Sequence, residues 1–186
     1  MGFLFILNPM HPYCAYVSKI EDKNDADKVY HDNYYGVRIE DDNELFGRLV
    51  MEINQAGLSW RTILNKEKGF RKAYHGFDIK KVAKYKEKDI ERLLNDASII
   101  RNRLKINAAI NNAEQLVRIQ KEFGSFRRWL DTHAKELKQD KEKWLKLFKS
   151  NFKFVGGEIV GEFLMSINLL SGSHDKTCRA YRNMVK

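Results

Sequence analysis

Four side chains with the chemistry of metal ligands frame this chain. Cys14 and Cys178 are its two cysteines, and a histidine accompanies each: His31 follows the first, and His174 stands four residues before the second. Two thiolates and two imidazoles form a Cys₂His₂ set, a preferred closed site for tetrahedral structural zinc. The His-x₃-Cys spacing puts both donors on one face of a helical turn, so they can reach one ion. An ion held by all four would staple the two ends of the chain together. The same spacing also fits two unrelated buried thiols and two surface histidines.

Carboxylate and ring chemistry gathers in two further stretches. In Met51-Glu-Ile-Asn-Gln-Ala-Gly-Leu-Ser-Trp60, Glu52 stands in an apolar helical region and Trp60 follows a tight Gly57-Leu58-Ser59 turn. Tyr30-His-Asp-Asn-Tyr-Tyr35 adds more aromatics. Rings that stack on a base, with an acidic acceptor for its exocyclic amine, are what a flipped nucleobase requires. Core aromatics and a solvated carboxylate are the ordinary alternative. A third stretch, 152–167, reads as a turn between two helices, with Gly156 and Gly157 at the start of the second. Backbone N–H groups there form an anion site suited to a DNA phosphate, which glycines let approach without a Cβ in the way. A plain helical hairpin with a glycine turn shows the same pattern.

The elements that must position these residues read as helical throughout. Both prolines, Pro9 and Pro12, precede residue 13. Apolar residues recur at three- and four-residue spacing, as in Leu45, Leu49, Val50 and Ile53. Asp41 or Asp42 can cap that helix, Asp78 a second, and Ser125 a third. The longest helix runs through Ile106, Ala109, Ala113 and Leu116 and ends at Gly124. The charged run 135–149 reads as one amphipathic helix, and the polar residues 19–28 as a surface excursion. About eight to ten short helices, with no linker and no repeat, predict an all-α domain. Residues 1–13 form an N-terminal extension and 14–186 a single helical domain.

Composition narrows the class of partner. The hydrophobic fraction is 43%, enough for a core, and no stretch approaches the roughly 20 apolar residues of a membrane span. Met1 to Leu7 is apolar but has no basic leader or cleavage site, so it does not read as a signal peptide. Gly2 does not open a myristoylation motif, because residue 6 is Ile. Two cysteines make no disulfide framework, which fits a reducing, intracellular setting. The net charge of +9 favours a polyanionic partner such as nucleic acid. Stretches such as 84–92, where lysines sit beside acids, also read as solvated helix surface.

The strings Tyr30-His-Asp-Asn-x-x-Gly36, Gln55-Ala-Gly-Leu-Ser-Trp60, Asp96-Ala-x-Ile-Ile-Arg101 with Lys105-Ile106, Phe152-Lys-Phe-Val-Gly156 and His174-x₃-Cys178 occur in this order. Their order and spacing, from about residue 14 to residue 178, resemble the 3-methyladenine DNA glycosylase I family of the helix–hairpin–helix superfamily. The resemblance implies a helix–hairpin–helix glycosylase fold with a structural zinc on Cys14, His31, His174 and Cys178, joining the termini. It implies a base pocket in which Trp60 stacks on the flipped adenine, Glu52 and Tyr30 act as catalytic recognition residues, and Tyr35 supplies a wall. Leu58, on the turn at Gly57, becomes a wedge into the duplex, and Gly156 and Gly157 become DNA contacts. The implied activity is hydrolysis of the N-glycosidic bond of cationic 3-methyladenine in double-stranded DNA, leaving an abasic site, without lyase activity. The implied setting is a monomer in the bacterial cytoplasm, associated with the nucleoid through DNA and with no membrane role.

Departures from the family pattern accompany the match. The family's Glu-Trp-Gly-x-Pro is Tyr34-Tyr35-Gly36-Val37-Arg38 here, and a Trp two residues after the first zinc cysteine is Tyr16. A further pocket tyrosine falls on Asp27, and residues 19–28 are lengthened. The Asp that many glycosylases of the superfamily use to stabilise sugar charge falls on Ser173, while Asp175 is expected to point away if His174 holds zinc. Catalysis is therefore expected from base recognition, desolvation and positioning. A non-catalytic alkylation-damage-binding module on the same fold is the alternative, and a zinc-stabilised protein-binding scaffold is a third reading.

Overall fold

The computed structural model describes residues 11–184, and they are helical without a strand among them. Eleven α-helices follow one another: α1 Pro12–Val17, α2 Ala26–Asn33, α3 Asp42–Gln55, α4 Trp60–Ala73, α5 Ile79–Val82, α6 Glu87–Leu94, α7 Arg103–Phe123, α8 Phe126–Leu137, α9 Lys141–Asn151, α10 Gly157–Ser166 and α11 Arg179–Met184. A 3₁₀ turn at His75–Phe77 joins α4 to α5. Most of the expected N-terminal extension, and the segment 1–7, lie outside the described residues. Among the described residues no helix is long and apolar enough to cross a membrane.

α3 is the axle of the fold. Ten of its residues are buried, and α4, α7, α8 and α10 pack around it. An aromatic cluster of Phe126, Trp129, Phe148, Phe152 and Phe163 joins α8, α9 and α10. α9 and α10 pack against each other across the glycine turn 152–156, and α10 packs on α3.

Local chemistry accounts for the helix ends. Asp41 caps α3, accepting from the N–H of Asn43 and Glu44. Its neighbour Asp42 reaches instead across the fold to the amides of Phe126 and Arg127 at the start of α8. Asp78 and Ser125 cap as expected. The run 135–149 is two helices: Lys138 takes a left-handed φ of 48°, its carbonyl accepts from Trp144 Nε1, and Asp140 caps the new helix. The polar stretch 19–28 ends in structure as well. Asp25 caps α2, and Asp27 is buried because Arg61 pairs with it and Tyr13 Oη donates to it.

Buried Lys105 holds the turn that carries Gly57 and Leu58. Its Nζ donates to the carbonyls of Asn54 at 2.9 Å and Ala56 at 2.7 Å, orphan acceptors at the C-terminal end of α3. A cation suits that end of a helix dipole, although burial lowers the lysine's pKa. Lys105→Met leaves both carbonyls short of a donor. We expect a loss of about 1–3 kcal/mol, read as a melting temperature roughly 2–10 °C lower. An unchanged melting curve would show that water replaces the ammonium at no cost.

Candidate functional site

Cys14 on α1, His31 on α2, and His174 and Cys178 before α11 converge on one point. Their donor atoms all lie within 4.8 Å of one another. Cys14 Sγ is 3.4 Å from His31 Nε2 and 3.7 Å from His174 Nδ1, and Cys178 Sγ is 3.7 and 3.8 Å from the same two nitrogens. Bonds of about 2.3 Å to sulfur and about 2.0 Å to nitrogen put tetrahedral S and N donors roughly 3.5 Å apart. The donor set therefore fits a metal ion. The outer ring nitrogens are also engaged: His31 Nδ1 meets Asp32 at 2.7 Å, and His174 Nε2 donates to the Tyr35 carbonyl at 2.8 Å. Such partners fix ring orientation in metal sites. Asp175, as expected, points elsewhere and accepts the His11 amide.

This junction has a consequence next door. α1 carries Cys14 into the cluster and Tyr13 into a cavity of about 720 Å³ on its other side. The cavity walls come from α1, α2, α3, α4 and α10. Tyr30, Tyr35, Glu52, Gly57, Trp60, Gly156 and Gly157, all anticipated site residues, line it together. Gly57 has φ +83°, a left-handed turn that only glycine adopts without strain, and Leu58 beside it is 40% exposed at the surface. Gly36, also left-handed, donates its N–H to Ser166 at the end of α10. Ser173 and His174 pack so close that a side chain at Gly36 would collide with them.

The interior of the cavity is aromatic and acidic. Trp60 opens α4 behind its N-cap Ser59, and its ring centroid lies 5.0 Å from that of Tyr30. Its buried Nε1 has no acceptor among the described residues. Tyr30 Oη accepts from Arg48 Nη1 at 2.6 Å, and that guanidinium also lies over the ring. Glu52 is 4% exposed, and among the described residues its carboxylate takes no hydrogen bond. Burial pushes it up to about 8, against the pull of Arg48 and with a further push from Glu162. Arg48, one turn earlier on α3, offsets part of the charge from a position where it serves Tyr30. Burial also raises the Tyr30 and Tyr35 phenols, which stay protonated as donors.

Tyr13, Glu158 and Glu162 line the cavity without having been anticipated there. Asp27, at the position of the expected pocket tyrosine, is not in the cavity. It lies beneath Tyr13, whose ring enters from α1 at 5.6 Å from Tyr35. Glu158 and Glu162 come from α10, and Tyr35 Oη donates to Glu162 Oε2 at 3.0 Å. The one available signal was their i, i+4 spacing after the glycine pair, which sets both on one helix face. Ser173 is buried against Gly36 and does not reach the cavity.

Helices of this order around an acidic, ring-walled cavity are the architecture of a known class of DNA repair proteins. The fold matches a solved structure of 3-methyladenine DNA glycosylase I with a TM-score of 0.77 and 32% identity, covering 85% of this chain and 95% of that one. The Staphylococcus aureus protein of the same name, solved to explain 3-methyladenine recognition, matches with a TM-score of 0.77 and 29% identity, over 91% of this chain and 96% of its own. DNA-3-methyladenine glycosylase 1 of Escherichia coli is 36% identical over 171 residues, 82% of this chain and 90% of that protein. Residues 20–181 match the sequence profile of methyladenine glycosylases. The chain belongs to the methyladenine glycosylase family.

Proposed function

We propose that this protein hydrolyses the N-glycosidic bond of 3-methyladenine in double-stranded DNA and leaves an abasic site. The observation that carries this reading is Glu52: a buried carboxylate that takes no hydrogen bond among the described residues, lining a ring-walled cavity of about 720 Å³. A cationic alkylated base supplies the charge and the donor that this acid lacks, and neutral adenine supplies no charge. Trp60 stacks on the base, with Tyr30 and Tyr35 as further walls. Bond cleavage leaves its electron pair on the base, which departs neutral. Water bonds to C1′ and gives up a proton. No lysine lines the cavity among the described residues, which supports hydrolysis without a lyase step.

Phosphates dock at the N-terminal end of α10, in a helix–hairpin–helix arrangement with α9, where Gly156 and Gly157 leave room. Leu58 fills the gap left by the flipped nucleotide. The Cys₂His₂ cluster holds a structural zinc, which supplies no chemistry to the reaction and anchors α1 against α2 and the C-terminal segment. The domain from residue 14 onward works as a monomer in the cytoplasm, finding the nucleoid through its positive charge. That attraction weakens with salt.

The test is chromatographic identification of bases freed from methylated duplex DNA. Free 3-methyladenine supports the reading, and tight damage-specific binding without release would make this a damage-binding module instead. Leu58→Ala isolates the wedge. We expect roughly tenfold slower excision from duplex with unchanged affinity for free 3-methyladenine, on the scale of a few kcal/mol for unstacking a base. Equal excision by both proteins would remove Leu58 from the duplex.

A further inference from the structure

The glycosylase reading leaves the attacking water without an assigned base, since Ser173 faces Gly36 and Asp175 holds the N-terminal end of α1. Glu162 stands where such a base is needed. It lines the cavity with Glu52 and Trp60 on one side and Gly156 and Gly157 on the other. A nucleotide whose phosphate sits at the start of α10 and whose base sits by Glu52 must lay its sugar between them. The α10 face along that path carries Glu158, Ile159 and Glu162. Glu158 is in the first turn and exposed. Glu162 is half-buried, five residues past Gly157, or about 7.5 Å along the axis.

Its carboxylate is also held in place. Tyr35 Oη donates to Oε2 at 3.0 Å, and the Tyr35 ring is wedged between Tyr30 and His174 at 5.8 and 5.3 Å. Among the described residues Oε1 takes no hydrogen bond, and no cationic side chain forms a salt bridge with Glu162. A solvated surface acid would not need an aromatic clamp. An acid present only to hold Tyr35 would not need to face the cavity and repel Glu52.

We propose that Glu162 is a catalytic residue of this protein. As the C1′–N bond breaks and its electron pair leaves with the base, the carboxylate faces the positive charge on the sugar. It takes the proton from the water oxygen that bonds to C1′, then releases that proton to solvent. This assignment rests on the glycosylase reading of the cavity.

Glu162→Gln tests it cleanly, because the amide oxygen still accepts from Tyr35 but cannot take a proton. Single-turnover release of 3-methyladenine from duplex DNA should fall about 100-fold, the low end for general-base catalysis, since a cationic base leaves readily. Affinity for free 3-methyladenine, followed by tryptophan quenching, should change less than threefold. Azide, a nucleophile that needs no base, should restore part of the rate to Glu162→Ala. Full-rate excision by Glu162→Gln beside an active wild type overturns the role of Glu162 alone. Parallel loss of rate and base affinity also overturns it, in favour of a wall residue. No release by the wild type removes the glycosylase reading and this assignment with it.

Discussion

Glu52→Gln is expected to lower kcat/KM for 3-methyladenine release roughly 100-fold while making the protein more stable at pH 7. A hydrogen bond to a charged group is worth about 1.5–3 kcal/mol, or roughly 10- to 150-fold, and the amide keeps the shape without the charge. The stability gain follows from burial. The Glu52 carboxyl titrates near 8 in the fold against an ordinary 4.5. Between those values the unfolded chain has released a proton that the folded chain keeps. Stability therefore falls as pH rises through that window, by up to about 1.4 kcal/mol per pH unit. Glutamine removes that slope, which is worth up to about 3 kcal/mol at pH 7. Urea midpoints of both proteins from pH 5 to 9 give the answer, and a variant less stable than the wild type at pH 7 sinks the argument.

The same group sets the pH dependence of excision. Arg48, Tyr30, Tyr35 and Glu162 are charged and titratable groups that face Glu52. A cationic base entering beside them favours the ionised carboxylate, so binding releases a proton. The wild-type kcat/KM should climb toward tenfold per pH unit below about 8 and level off above it, while Glu52→Gln should stay flat. A flat wild-type profile would place the base elsewhere.

Cys178→Ser is the second large effect. We expect one zinc ion per chain in the wild type, and a variant that melts roughly 10 °C or more below it. Structural zinc supplies up to about 10–16 kcal/mol in zinc-finger peptides, and a domain with a core of its own shows less. The loss reaches activity because α1 is shared: with Cys14 released, Tyr13 leaves the cavity. Excision should weaken mainly through KM, and added zinc should rescue the wild type after chelation but not the variant. Metal analysis that finds no ion in the wild type would overturn this assignment.

The caps at Asp78 and Ser125, the long helix ending at Gly124 and the ligand quartet were all legible because each depends on near neighbours or on residue type. Asp42 was not, since its partners at Phe126 and Arg127 are 84 and 85 positions away. The break at Lys138 was also hidden, because composition alone favours an unbroken amphipathic helix there. Glu162 reads in sequence as one more acid on a helix, and Tyr13 as a neighbour of a cysteine. Only packing turns both toward Glu52.

By itself the amino-acid order determined that this chain is helical, which residue types could ligate a metal, and which family's motifs it carries. Those are properties of spacing along one strand of chain. The tertiary structure decided that Arg48 shares the interior with Glu52, that Tyr13 rather than Asp27 lines the cavity, and that Glu158 and Glu162 face the same hollow. These are distances between elements far apart in sequence, and they are set by how α1, α3 and α10 pack.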